Sequence, residues 1–269
     1  MSKDATLAGT WTRQAIELMQ RIQTTQAAVI AQTAEWSAEA IAAGGFVHMY
    51  GSGHSRIAVE EMFPRYGSFP GFNPIVELST SFHTQVVGSN GQRQAMFIER
   101  VSGLAAAILA NFVFKPTDVM MIFSVSGTSA VSVEMAQIAR SRGIRTVAVT
   151  SVAHSEASQT ASGIRLKDVV DLVIDIGTPP GDALVRIPGL DTPVGPGSTA
   201  ANVMVVNEIK VLTAELLVRK GIHPSVLTGP MVVGAERSAR LFEAAYADHA
   251  RRLVYALGNV CDEEGDTAP

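Results

Sequence analysis

Apolar residues in the first part of the chain recur at the spacing of an α-helix. Between residues 10 and 43 the pattern predicts one long helix or two stacked helices, and Gly44-Gly45 ends it. The apolar positions are Ala15, Ile16, Met19, Ile22, Ala28, Val29, Ala34, Ala38 and Ile41. Such an arm has more apolar surface than one sheet can cover, so we expect its second face to contact another subunit in a homodimer or higher oligomer.

After this arm, short apolar runs alternate with helical segments. The runs predict strands at 46–50, 74–78, 118–123, 146–150 and 169–176. The helical segments lie at 55–66, 95–111, 130–142, 198–219 and 236–257. Alternation of this kind is typical of an α/β fold with a doubly wound parallel sheet, in which ligands bind at the carboxyl ends of the strands.

A stretch rich in proline and glycine interrupts the alternation between residues 177 and 197. Residues 183–187 and 192–194 flank a turn that begins at Pro188. This arrangement predicts a small β-hairpin rather than a disordered linker.

Three turns rich in glycine and hydroxyl side chains are the strongest chemical signal. Turn 1 is Gly51-Ser52-Gly53-His54-Ser55, turn 2 is Ser124-Val125-Ser126-Gly127-Thr128-Ser129, and turn 3 is Gly195-Pro196-Gly197-Ser198-Thr199. Turns 1 and 2 directly follow predicted strands, and a helix follows each turn. Glycine allows close backbone approach, hydroxyls donate hydrogen bonds, and a helix N-terminus attracts anions. One phosphate site, with the phosphate on a small sugar, is therefore expected, although each turn alone could simply cap its helix.

Composition and charge exclude several other classes of protein. The chain has 269 residues, 47% of them hydrophobic, and a formal net charge of -4. No window collects lysine and arginine, so we expect no nucleic-acid partner. Apolar runs such as 203–206 are far shorter than the ~20 residues of a membrane helix, and the polar start predicts no signal peptide, hence no membrane partner. Cys261 is the single cysteine, which favours a reducing, cytoplasmic location.

The paired serine turns 1 and 2, followed by Ser198-Thr199 at the start of a helix, resemble the sugar isomerase (SIS) domain family over about residues 10–257. Shorter motifs are similar to a single-SIS-domain subfamily labelled phosphosugar isomerase: Gly53-His54-Ser55-Arg56, Asn73-Pro74-Ile75, Gly181-Asp182-Ala183 and turn 3 itself. The resemblance implies a flavodoxin-like five-stranded parallel sheet flanked by helices, a dimer formed through those helices, and a phosphorylated sugar as ligand. We expect a helical dimerisation arm at 1–45, the SIS domain at 46–257 and a flexible acidic tail at 258–269.

Carried onto this chain, the resemblance implies phosphate contacts from the hydroxyls of turns 1 and 2. The predicted binding set also takes in the turn glycines and turn 3, and its members are Gly51, Ser52, Gly53, Ser55, Ser124, Ser126, Gly127, Thr128, Ser129, Ser198 and Thr199. Members similar to phosphoheptose isomerase have an ionisable side chain ten residues after the first glycine of turn 1, which is Glu61 here. Their late-helix histidine is missing from residues 202–208, so we predict no metal and no cofactor.

An aldose–ketose isomerisation needs a base that moves a proton between adjacent carbons and a polar group that assists ring opening. Glu61 is the preferred base, on the resemblance alone. His54 in turn 1 and His83 after the second predicted strand are further candidates, because functional side chains concentrate on loops held by rigid elements. Glu208 could serve as a base or form a structural ion pair, and Asp182 could cap a loop or contact substrate hydroxyls.

Two other functional classes compete with this interpretation. Gly51-Ser52-Gly53 after a strand is half of a dinucleotide-binding motif, but Arg56 stands where the third glycine belongs. A non-catalytic phosphosugar sensor is the stronger alternative, because SIS domains also act as regulatory modules. Few basic residues lie in the arm, which argues against a DNA-binding regulator. The resulting prediction is an oligomeric, metal-independent SIS-domain protein that isomerises a phosphorylated sugar through an enediol(ate), with etherase and deaminase chemistry left open.

Overall fold

The computed structural model describes residues 7–82 and 91–258. Within these ranges the strands are β1 (Val47–Gly51), β2 (Phe72–Pro74), β3 (Val119–Phe123), β4 (Arg145–Thr150), β5 (Leu172–Asp175), β6 (Ala183–Val185) and β7 (Val194–Pro196). The helices of the described residues are α1 (Thr10–Thr25), α2 (Ala27–Ala42), α3 (Arg56–Met62), α4 (Leu78–Ser81), α5 (Gly91–Ile98), α6 (Leu104–Leu109), α7 (Ala130–Ser141), α8 (Val152–Ala157), α9 (Ser198–Arg219), α10 (Pro230–Val233) and α11 (Ala235–Leu257). Short 3₁₀ turns span Gly53–Ser55 and Leu166–Asp168.

Five strands form one parallel sheet in the order β2-β1-β3-β4-β5. The first strand, β1, is inside the sheet, and later strands are added on both sides of it. This is the doubly wound arrangement, and it confirms the predicted α/β fold class. In the central pair Gly51 lies opposite Phe123, so the carboxyl ends of β1 and β3 are level. Turns 1 and 2 therefore leave the sheet side by side.

Successive residues of the central strands are buried on opposite faces of the sheet. On one face Met49, Met121 and Val149 pack with the apolar sides of α1, α2, α3, α9 and α11. On the other face Ile122 and Ala148 pack with α6 and α7. Both faces are buried, which explains why these strands have continuous apolar runs rather than an alternating pattern.

The N-terminal arm consists of two helices that meet at Gln26. The second helix, α2, contributes Ile30, Ala38 and Ile41 to the core beneath the sheet. It packs against α9 and against β1, β3 and β5. This half of the arm is a layer of the sheet domain, whereas the role of the arm in dimerisation stays a prediction.

Two predicted elements differ in the structure. The second strand was expected at 74–78, but β2 covers Phe72–Pro74 and the chain then turns into α4. The carboxylate of Glu77 accepts hydrogen bonds from the backbone N–H groups of Ser79 and Thr80, and so caps a helix where apolar residues alone indicate a strand. The helix expected at 95–111 is split into α5 and α6, because Gly103 adopts a left-handed conformation between them.

The predicted hairpin is confirmed. Strands β6 and β7 pair antiparallel, with Ala183 opposite Pro196 and Val185 opposite Val194. Gly195 has φ +78° and lies against the indole of Trp11, whose Nε1 donates to the carbonyl oxygen of Pro196. The hairpin is thus tied to α1 and carries turn 3 to the start of α9. None of the helices in the described ranges is long and apolar enough to span a membrane.

Candidate functional site at the carboxyl edge of the sheet

Two adjoining cavities open where turns 1 and 2 leave the sheet. The inner cavity, of about 270 Å³, is lined by residues of all three turns. The outer cavity, of about 730 Å³, is lined by turn 2, by the start of α7 and by residues 158–162. Met96, Glu99, Ser126 and His154 belong to the walls of both. A ligand at Ser126 can therefore extend into either cavity.

Turn 1 brings the predicted residues Ser52, Gly53, His54 and Ser55 to the inner cavity. Gly51 does not line it, but a Cβ at this position would lie 2.6 Å from the backbone oxygen of Ser55 and 2.7 Å from its carbonyl carbon. Only glycine fits such a close approach of backbone to backbone. Gly51 therefore determines the shape of the turn that presents Ser52.

Turn 2 divides its hydroxyls between the cavities. Ser124 and Ser126 line the inner cavity, and Ser126, Thr128 and Ser129 line the outer one. Ser129 is at the N-cap position of α7, yet its side chain makes no capping hydrogen bond and donates instead to the hydroxyl of Ser132, at 2.8 Å. The hydroxyl of Thr128 donates to that of Ser126, at 3.2 Å. Turn 2 is thus a linked set of hydroxyls at a helix N-terminus rather than a simple cap.

Gly127 belongs to turn 2 but lines neither cavity. Its φ is +60°, and a Cβ would lie 3.3 Å from the hydroxyl oxygens of both Ser155 and Thr150. Its backbone oxygen accepts a hydrogen bond from the N–H of Leu166, at 2.8 Å. The glycine thus allows the tight turn from which Ser126 and Thr128 line the cavity walls.

Turn 3 reaches the inner cavity through Ser198 and Thr199, but three of its donors are already engaged by Asp182. The carboxylate of Asp182 accepts from the N–H of Gly197 (3.3 Å), from the N–H of Ser198 (2.8 Å) and from the hydroxyl of Ser198 (2.5 Å). Asp182 itself adopts φ +65°, an uncommon conformation for a residue other than glycine. An anion at this end of the cavity would meet the negative charge of Asp182. The sequence predicted hydrogen-bond donors here, but the carboxylate already occupies those of Gly197 and Ser198.

A carboxylate that the sequence analysis missed lies between turns 1 and 2. Glu99 follows α5, lines both cavities, and accepts a hydrogen bond from the hydroxyl of Ser52, at 2.7 Å. Its backbone oxygen accepts from the N–H of Val131 in the first turn of α7, at 3.1 Å, which fixes its position against turn 2. In the sequence, Glu99 belongs to the helical segment predicted at 95–111. Nothing in the local pattern distinguishes it there from a glutamate that faces solvent.

Two histidines lie in the cavity walls. His54 is exposed on the 3₁₀ turn after β1 and lines the inner cavity. His154, on α8, lines both cavities, and its buried Nδ1 has no hydrogen-bond partner within the described chain. His154 is not among the candidate residues predicted from the sequence. His83, the other histidine predicted from the sequence besides His54, lies outside the described residues.

Glu61 is on α3 and does not line either cavity of the protomer. Its carboxylate pairs with Arg65 and accepts from Nδ2 of Asn207 (3.0 Å), while Nζ of Lys210 donates to its backbone oxygen (2.9 Å). Burial opposes ionisation of this carboxyl, but the hydrogen bonds from Asn207 and Arg65 and the charges of Arg65 and Lys210 hold its pKa below the usual range. Glu208 is exposed on α9 and also lies outside both cavities.

The charges in the two cavities are distributed unevenly. The inner cavity contains the carboxylates of Glu99 and Asp182, and no lysine or arginine is among the described residues that line it. The outer cavity shares Glu99 but not Asp182, and it also contains Arg100 beside the N-terminus of α7. An anionic group is therefore favoured in the outer cavity, and a neutral or cationic group in the inner one. Within the described ranges no three histidine, cysteine, aspartate or glutamate residues are grouped so that they could hold a metal ion.

Comparisons with known proteins agree with the sequence motifs. The family model described as the SIS domain matches residues 10–151. A UPF0309 protein of Streptomyces griseus is 33% identical over 236 residues, which cover 86% of this chain and 91% of that protein. Among solved structures, the sugar isomerase domain of an RpiR transcription factor from Sphaerobacter thermophilus superposes with a TM-score of 0.46 at 18% identity, covering 89% of this chain and 97% of that one. A phosphoheptose isomerase from Neisseria gonorrhoeae gives 0.49 at 13% identity, covering 77% and 96%. The chain belongs to the SIS-domain family and has UPF0309 proteins among its relatives.

Proposed function

We propose that this protein binds a phosphorylated sugar across the two cavities and isomerises it between aldose and ketose forms. The phosphate binds in the outer cavity, to the hydroxyls of Ser126, Thr128 and Ser129, to the N-terminus of α7 and to Arg100. The sugar carbons extend past Ser126 into the inner cavity. The separation of positive and negative ends supports this orientation, since the reverse orientation would place phosphate against Asp182.

The observation that carries the proposal is the Ser52–Glu99 pair between the two hydroxyl turns. An enediol(ate) mechanism needs a base beside the two adjacent carbons that exchange the carbonyl, and Glu99 is in the wall that both cavities share. In this scheme Glu99 takes the proton from one carbon and returns it to the next. His154, or His54 at the mouth, exchanges a proton with the carbonyl and hydroxyl oxygens during ring opening and transfer.

Glu61 remains a competing base in the proposal, because the resemblance to phosphoheptose isomerases singles it out. Its carboxylate is outside both cavities and engaged with Arg65 and Asn207, so it would act only if a second subunit brought it to the sugar. The geometry of one protomer favours Glu99.

Binding is tested first. Titration calorimetry with pentose, hexose, heptose and acetamido-sugar phosphates, against the free sugars and inorganic phosphate, should show selective binding of a phosphosugar. Ser126→Ala should weaken it by about 1–3 kcal/mol, or roughly 5- to 150-fold, because a hydrogen bond to a charged oxygen is lost. Ser141→Ala is the matched control: that serine is exposed at the end of α7, the helix that follows turn 2, and its replacement should leave affinity unchanged. Equal affinity of Ser126→Ala and wild type would refute the phosphate site.

The reaction is tested separately by NMR with the phosphosugar that binds. Glu99→Gln should bind it with similar affinity and lose turnover by about 10²–10⁴-fold, the usual contribution of a general base. Glu61→Gln should keep turnover. If Glu61→Gln loses turnover and Glu99→Gln keeps it, Glu61 is the base. If the wild type binds a phosphosugar tightly without turnover, the protein is a non-catalytic phosphosugar sensor.

A further inference from the structure

Asn202 is a buried amide in the wall of the inner cavity. It lies on α9, one turn after Ser198, and only 3% of its surface is exposed. Ala201, Val205 and Val206 beside it pack into the apolar core. An apolar side chain would suit this part of the helix, so the choice of asparagine needs an explanation.

The Oδ1 atom of Asn202 is buried and accepts no hydrogen bond from any residue in the described parts of the chain. A buried acceptor without a donor destabilises a fold, and native proteins retain few of them. Asn207, five residues later on the same helix, shows the contrast. Its Nδ2 donates to Glu61 (3.0 Å) and to the backbone oxygen of Val203 (2.9 Å), and its Oδ1 accepts from Lys210 (3.2 Å).

We propose that Asn202 determines substrate specificity by hydrogen-bonding an uncharged hydroxyl of the sugar, at the end remote from the phosphate. This inference rests on the proposed function and deepens it, because it names the residue that contacts the sugar away from its phosphate. Asp182 and Glu99 line the same cavity, with no lysine or arginine among its described lining residues to balance them. A hydroxyl donates to the free amide oxygen at no electrostatic cost, whereas a second phosphate there would meet two carboxylates. Sugar bisphosphates are therefore rejected.

The first test needs no ligand. Asn202→Leu removes an unpartnered polar atom and keeps a similar volume, so the melting temperature of the free protein should rise by about 2 °C. Asn207→Leu is the matched control and should lower it, because three formed hydrogen bonds are lost. If Asn202→Leu lowers the melting temperature as much as Asn207→Leu does, the amide has a structural role and the proposal is overturned.

The second test measures affinity by calorimetry, with fructose 6-phosphate and the other monophosphates of the panel as probes. Asn202→Leu should weaken the binding of the phosphosugar that the wild type binds best by about tenfold. It should leave the affinity for inorganic phosphate unchanged, because inorganic phosphate binds in the outer cavity under the proposed function. Unchanged phosphosugar affinity overturns the role of Asn202 alone. A wild type that binds no phosphosugar refutes the proposed function and this inference together. If fructose 1,6-bisphosphate binds as tightly as fructose 6-phosphate, the inner cavity does not exclude a second phosphate and the inference is overturned.

Discussion

Replacing Gly51 by alanine should disturb the candidate site more than any other single methyl group added to turn 1. The new Cβ would lie 2.6 Å from the oxygen and 2.7 Å from the carbon of the Ser55 carbonyl, and 2.9 Å from the backbone nitrogen of Arg56. All three are backbone atoms at the start of α3, so no side chain can rotate away. The turn itself must open.

The expected cost follows from that overlap. Overpacking in a tight site costs about 1–3 kcal/mol, and in a protein of this size each kcal/mol lowers the melting temperature by about 2–4 °C. Gly51→Ala should therefore melt roughly 2–12 °C below wild type. In the wild type the hydroxyl of Ser52 lies 2.7 Å from the carboxylate of Glu99. Because the same shift moves Ser52 away from Glu99, turnover should fall by about 10²-fold.

The assay is thermal unfolding followed by circular dichroism, together with turnover of the phosphosugar. Gly229→Ala is the control, since its Cβ would meet only the ring of Tyr66 at 3.7 Å, an ordinary contact, and its φ of -66° suits alanine. That variant should melt at or slightly above the wild-type temperature. A Gly51→Ala protein within 1 °C of wild type would refute the argument that turn 1 has no room for a side chain.

Two further predictions concern groups away from the cavities. Burial of His249 against the rings of Phe63 and Phe46 lowers its pKa, a shift that Arg252 reinforces and Asp248 opposes. The unfolded chain then binds the extra proton first, so stability should fall as pH drops through about 6.5 toward the lower folded pKa. His249→Phe should flatten the pH dependence of the urea midpoint between pH 7 and 5, and an unchanged slope would count against this account. Asp118 is buried and accepts from the backbone N–H groups of Phe46 (2.8 Å) and Lys115 (2.9 Å) and pairs with Nε2 of His48 (3.1 Å). Asp118→Ala should cost about 3 kcal/mol or more in urea unfolding because it strands buried donors, and Asp118→Asn should cost less; equal stability of Asp118→Ala and wild type would contradict this.

Local pattern was enough to predict most of the architecture. Continuous apolar runs predicted four of the five sheet strands to within a few residues, and α9 begins at Ser198 and ends at Arg219 as expected. The edge strand β2 was displaced because the carboxylate of Glu77 caps α4, a side-chain contact that hydrophobicity does not encode. Turns 1 and 2 were predicted to meet, since parallel strands bring their carboxyl ends to one edge.

By itself the sequence determined the fold class, the hydroxyl-rich turns and the family, because periodicity, glycine spacing and motif order are local properties of the chain. Only the tertiary structure decided which groups face one another. It brought Glu99 to Ser52 across 47 residues and directed Asp182 onto the amides of turn 3. It also left the amide oxygen of Asn202, in the cavity wall, without a hydrogen-bond donor among the described residues, and it kept Glu61 outside that wall. These outcomes depend on how helices pack on a twisted sheet, and a carboxylate or amide looks the same in the sequence whether it lines a cavity or faces solvent.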